Sequence, residues 1–216
     1  TSKWMGESER LIKTLFRMAA FTQPSVIFVD EVDSLLSARE EGEAGGLRRI
    51  KTEFFVQLDG ARTDENDRVL VIGTTNRPEQ LDEAARRRFG KKLYVPLPDR
   101  EAKRSLLLHE IEREKQLGFG YALGAEEVEA VLQLCDRFSC ADMKALLKEA
   151  AMEPVRELAS GGAGCESWER SQLRPVNFGH FRTAARRVKP TVTPEEVNRY
   201  KDWNREFGSC AIDNDE

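Results

Sequence analysis

Several things are scarce or missing in this 216-residue sequence, and each excludes something. No apolar run approaches the roughly twenty residues that a membrane-spanning helix needs. The opening TSKWMGESER lacks the apolar centre of a signal peptide. Only four cysteines occur (Cys135, Cys140, Cys165 and Cys210), with no CxxC pair and no histidine-rich partner segment. That spacing excludes the usual zinc sites and points to free thiols in a reducing compartment, cytoplasm or nucleus. The two histidines, His109 and His180, fall in predicted helices without evident partners and read as ordinary surface or core residues. Neither sign of charge dominates: 34 basic against 38 acidic residues leave a net −4, which is no signature of nucleic-acid binding. Finally, no G-x-x-x-x-G-K-[ST] string occurs. The nearest, Gly90-Lys91-Lys92, lacks both the leading glycine loop and the hydroxyl residue.

What is present reads as a soluble globular chain, 40% hydrophobic and 33% charged, long enough for one large domain or two small ones. Apolar residues at helical spacing predict a helix over 7–21, stopped by Gln23-Pro24. Val26 to Val29 predicts a short strand that is apolar on both faces, as central parallel strands are. A glycine-rich loop at 40–46 precedes a helix marked by Leu47, Ile50, Phe54 and Leu58. Further strands are expected at 69–72 and 93–95, with a short helix at 82–87 between them. Strands alternating with helices predict a parallel α/β layer. Beyond Asp99 only helices are expected, at about 99–116, 125–137, 140–159, 177–188 and 194–206. The last opens with Thr193-Pro194-Glu195-Glu196, a capping box with proline at the first helical position.

Chemistry concentrates at strand ends. VIFVDEVDSLL (26–36) is an apolar strand ending in Asp30 and Glu31, the arrangement of a Walker B motif. There the first carboxylate sits beside Mg²⁺ and the second activates water. A solvated strand end would look the same, so this pattern alone decides nothing. A second strand, VLVIGTTNRP, ends in Thr74-Thr75-Asn76, where an amide is placed to bond a water or a terminal phosphate; an asparagine in a turn before proline is the plain alternative. Arg86, Arg87 and Arg88 follow on a short helix, either as a solvated basic face or as arginine fingers for a neighbouring subunit.

The segments SVIFVDEVDSLL, RRIKTEFFVQLDG, VIGTTNRPEQLDEAARRRF, LYVPLPD and FSCADMKALLKEAAMEPVREL occur here in one order. That order resembles AAA ATPases of the meiotic clade, the katanin, spastin, fidgetin and Vps4 group. The tail QLRPVNFGHFRTAARRVKPTVTPEEVNRYKDWNREFG is most similar to its fidgetin-like branch. The resemblance implies an AAA+ P-loop-type α/β fold with a parallel sheet and flanking helices over 1–98, running from the first pore loop to the second region of homology. A small all-α lid with a C-terminal helix is implied over 99–216. It makes Asp30 the Walker B aspartate, holding Mg²⁺ through water, and Glu31 the catalytic glutamate. Asn76 falls at sensor 1, and Arg87 and Arg88 at the arginine-finger positions, with Arg86 a lesser participant. Lys3, Trp4 and Met5 fall in the first pore loop, which grips substrate polypeptide. Residues 39–49 cover the second pore loop, where Arg48 and Arg49 face the channel or anchor the next helix. Ser139 and Ala141 lie in the turn beside the adenine, although Cys140 replaces the usual glycine and a helix cap is the safer role for Ser139.

ATP and Mg²⁺ are the implied cofactors, and a homo-oligomer, a hexamer, is the implied assembly. The implied function is hydrolysis of ATP to pull a protein through a central pore, in recombination repair acting on recombinase filaments. Microtubule severing, with tubulin as substrate, is the alternative within the clade. A nucleotide-free structural or regulatory module is the alternative outside it. Because the family carries its phosphate loop shortly before the first pore loop, the chain reads as an N-terminally truncated fragment lacking Walker A. Its sheet is expected to be incomplete with exposed edges, and its own catalysis weak or absent.

Overall fold

The structure is a computed structural model that describes residues 5–37, 45–63, 68–160 and 172–209. Lys3 and Trp4 of the predicted pore loop lie outside these residues, as do 38–44, Cys165 and Cys210, and of Met5 only the backbone is described. The described residues form two compact units, one reaching Tyr94 and resuming at Tyr200, the other spanning Val95–Arg199.

The first unit opens with α1 (Met5–Phe21), followed by strand β1 (Ser25–Val29) and the single-turn helix α2 (Val32–Leu36). Then come α3 (Gly45–Thr63), β2 (Val69–Gly73), a 3₁₀ turn at Pro78–Gln80 and α4 (Glu83–Arg88). Strands β1 and β2 pair in parallel, with Ile27 opposite Val71 and Phe28 opposite Ile72. Alternation sends Ile27 into a core with Phe16, Phe54, Leu58 and Ala85. Phe16 and Phe54 meet edge to face, ring centroids 5.7 Å apart. The other sheet face remains apolar and open: Val26 is 60% exposed, Phe28 61% and Leu70 56%.

The strand expected at 93–95 does not form. Leu93 and Val95 are exposed, and the described residues supply no third strand to pair with them. Apolar alternation without a hydrogen-bonding neighbour makes no ladder.

The second unit contains α5 (Arg100–Gln116), α6 (Ala125–Leu134), α7 (Cys140–Ser160) and α8 (Phe178–Ala184). Its core is closed, with Leu107, Val131, Met143, Leu146 and Phe181 fully buried. Cys135 lies in that core, where burial pushes its thiol up to about 12, so it is inert. Contrary to the sequence reading, His180 is partnered. Its Nδ1 accepts the Asn177 N–H at 3.1 Å, closing a capping box on α8, and its Nε2 lies 3.1 Å from a Glu157 oxygen. Glu149 lies 2.7 Å from Arg156 and 3.1 Å from Arg187, and both arginines also bond Glu153.

Helix α9 (Pro194–Phe207) begins with the predicted capping box, Thr193 N–H donating to Glu196 at 2.9 Å. The sequence reading grouped all of 99–216 together, whereas from Tyr200 onward the chain belongs with the first unit. The cause is a set of contacts far apart in sequence. Tyr200 stacks near Tyr94, Arg86 lies over Phe207, and Ser209 pairs with Lys92. Among the described residues no helix is long and apolar enough to cross a membrane.

Candidate active site

The end of β1 and the end of β2 are joined by both backbone and side chains. Thr74 N–H donates to the Val29 carbonyl at 2.9 Å, and Val32 N–H to the Thr74 carbonyl at 2.8 Å. The Thr74 hydroxyl then donates to Asp30 Oδ1 at 2.6 Å, and the Thr75 hydroxyl to Asp33 Oδ1 at 2.5 Å. Hydrogen bonds to a carboxylate are short and strong, so these two threonines fix both acids against the neighbouring strand end. Sequence reading singled out Thr74 and Thr75 only as a polar group and missed Asp33. The hydroxyls at the end of an apolar strand were the available signal.

Glu31 follows with φ 48° and ψ 49°, in the left-handed region, as the residue preceding α2. Outside glycine that conformation is strained, and such strain collects at functional positions. The Glu31 N–H bonds back to Asp30 Oδ1 at 3.0 Å, and both carboxylates are exposed. Asp30 Oδ1 thus takes two hydrogen bonds, while its second oxygen takes none among the described residues. The described residues contain no group of three metal-ligating side chains. One open hard oxygen suits Mg²⁺, which keeps several waters and takes phosphate oxygens in place of an all-protein cage.

Asn76 stands two residues beyond Thr74 with an exposed side chain. Close packing also shapes the end of β2: a Cβ on Gly73 would meet the Phe89 ring and Val32 at 3.3 Å. The three arginines of α4 differ in what they touch. Arg86 donates to the Leu81 carbonyl at 3.1 Å and lies 5.0 Å from the Phe207 ring. Arg88 bonds both oxygens of Asp59 at 2.9 and 3.0 Å and lies over Phe55. Arg87 points outward and, among the described residues, is paired with the exposed Glu83 one turn back, a contact of little energetic weight. Asp82 caps this helix by accepting the Ala84 N–H at 2.8 Å.

Ser139 and Ala141 belong to the second unit, apart in the chain from the acidic pair. The Ser139 hydroxyl accepts the Asp142 N–H at 3.1 Å and donates to Asp142 Oδ2 at 2.8 Å, so Ser139 caps α7. Thr191 adds two further donors to the same oxygen. Burial alone would raise the Asp142 carboxyl, but the bonds from Ser139 and Thr191 outweigh it and hold it below the usual carboxylate range. Cys140 and Ala141 are exposed. Arg48 and Arg49 lie exposed within α3, whereas Lys51, which sequence reading passed over, is buried and donates to the Ser37 carbonyl at 2.9 Å.

The model of the ATPase family associated with various cellular activities (AAA) matches residues 1–97. The model of the Vps4 C terminal oligomerisation domain matches 168–208. Fidgetin-like protein 1 of Homo sapiens is 46% identical over 208 residues, which are 96% of this chain and 30% of that protein. The chain therefore spans under a third of that relative's length. The crystal structure of the FIGL-1 AAA domain in complex with ADP matches with a TM-score of 0.83 at 43% identity, over 97% of this chain and 67% of that one. A structure bearing on katanin self-assembly matches with a TM-score of 0.72 at 33% identity, over 92% of this chain and 64% of that one. The chain belongs to the AAA ATPase family, in the group that holds fidgetin-like protein 1, spastin and katanin.

Proposed function

We propose that this chain supplies the water-activating half of an ATP-hydrolysing site in a ring-forming, hexameric remodelling ATPase. The observation that carries the reading is the 2.6 Å bond from Thr74 to Asp30, which locks the acidic end of β1 to the strand end bearing Asn76. Asp30 presents an open oxygen for Mg²⁺, which supplies charge neutralisation for the phosphates when bound. Glu31 is the base that takes the proton of the attacking water, and Asn76 orients that water. Arg87 is the finger offered to a neighbour, since Arg86 and Arg88 are engaged by their own chain in holding α4. The helical unit serves as the lid, with Ser139 shaping its adenine-side turn. Lys3, Trp4 and Met5 grip a polypeptide in the central pore.

The biological output we assign is recombination repair in the nucleus, with recombinase filaments as substrate, on the strength of the likeness to fidgetin-like protein 1. The likeness to katanin and spastin supports a second output, on tubulin in the cytoplasm. Retention of recombinase or of tubulin tails by the complete protein separates the two. The hydrolytic assignment is tested by Glu31→Gln in the complete ATPase that carries this chain. Turnover should fall about 10²–10⁴-fold with nucleotide binding retained. Unchanged turnover would remove Glu31 from the role of base.

A further inference from the structure

The stripe Tyr200, Trp203 and Phe207 on α9 has no part in the chemistry above, yet it reaches the site. The Tyr200 hydroxyl donates to the Asn76 carbonyl at 2.8 Å, across 124 positions of sequence. The same peptide is also held at its N–H edge. The Thr75 hydroxyl bonds Asp33 and also accepts the Arg77 N–H at 2.9 Å. A peptide is one rigid plane, so bonds at its carbonyl and at its N–H together fix its tilt and, with it, the direction in which the Asn76 side chain leaves the backbone. We propose that Tyr200 is a positioning residue for catalysis: its hydroxyl fixes the peptide plane that follows Asn76 and thereby sets the Asn76 amide for the attacking water.

The proposal rests on the hydrolytic reading of Asn76. It is separable from general docking of α9, because other contacts hold the helix. The Tyr200 ring lies 6.5 Å from the Tyr94 ring, and Phe207 lies under the Arg86 guanidinium. Just beyond the helix, Ser209 N–H donates to the Lys92 carbonyl at 2.9 Å, and Lys92 N–H returns a bond to the Ser209 hydroxyl. Removing one hydroxyl therefore releases the carbonyl edge of the Asn76–Arg77 peptide without releasing the helix.

The test is Tyr200→Phe in the complete ATPase, beside Phe207→Leu as a variant that loosens docking. Tyr200→Phe should lower kcat about three- to tenfold, the cost of one lost hydrogen bond, with KM for ATP, Tm and oligomeric state unchanged. Amide exchange over residues 74–80 should quicken by a similar factor while α5 to α7 stay as they were. Phe207→Leu should instead lower Tm. An unchanged kcat with a normally active parent would overturn the proposal, as would a loss of kcat that tracks a loss of Tm or assembly. If the parent shows no turnover, or Glu31→Gln has no effect, the hydrolytic reading fails. Unchanged exchange over 74–80 in Tyr200→Phe would then show separately that the hydroxyl does not hold the loop.

Discussion

The two units bury apolar surface in different ways. The helical unit closes on itself: α5, α6, α7 and α8 point their stripes at one another, and its largest apolar side chains are fully buried. The α/β unit fills one side of its two-stranded sheet and leaves the other side, Val26, Phe28, Leu70 and Ile72, open. A helix presents one apolar stripe and needs one neighbour, whereas a parallel strand is apolar on both faces and needs cover twice. The difference lies in the geometry of the elements, not in their hydrophobicity.

That contrast can be broken or sharpened by substitution, with segment-resolved amide exchange under denaturant reading each unit separately. Phe181→Ala, in the closed core, should cost the helical unit about 3–5 kcal/mol. A loss under about 1 kcal/mol would mean that the core relaxes around the cavity. Asp142→Asn probes the same unit through pH. The folded carboxyl titrates below its unfolded value, so its stabilisation is present above the unfolded value, about 4, and fades as pH falls through the folded one. The variant should flatten that acid-side loss, and an unchanged acid limb would show that other carboxylates govern it. Phe28→Thr, on the open sheet face, should change the stability of the α/β unit by less than about 0.5 kcal/mol. A loss above about 2 kcal/mol would mean that the face is covered in solution.

How much could be read in advance follows the same division between local and distant causes. Helices α5 to α7 were legible because periodicity and caps are local, and Ser139 with Asp142 sits within one turn. Strands β1 and β2 were legible as apolar runs. The segment 93–95 carried the same pattern and formed no strand, since a strand is a relation between two segments and sequence shows only one. Helix α2 was missed because five residues hold too little periodicity. The roles of Asp33 and Tyr200, and the partner of His180, depend on groups 42, 124 and 23 positions away. Of the three arginines, sequence supplied the cluster; only folding separates the two engaged by Leu81, Asp59 and aromatic rings from Arg87, which faces outward.

The left-handed backbone at Glu31 sets folding against chemistry at a single position. Glycine or asparagine would adopt φ 48° with less strain than glutamate, and so would favour the folded chain. Either would also delete the carboxylate. A library of this protein screened for solubility or thermal resistance alone should therefore drift toward glycine or asparagine at residue 31, enriching well-folded molecules that lack the carboxylate proposed as the base. Variants recovered from such a screen need an activity assay before their stability is counted as improvement.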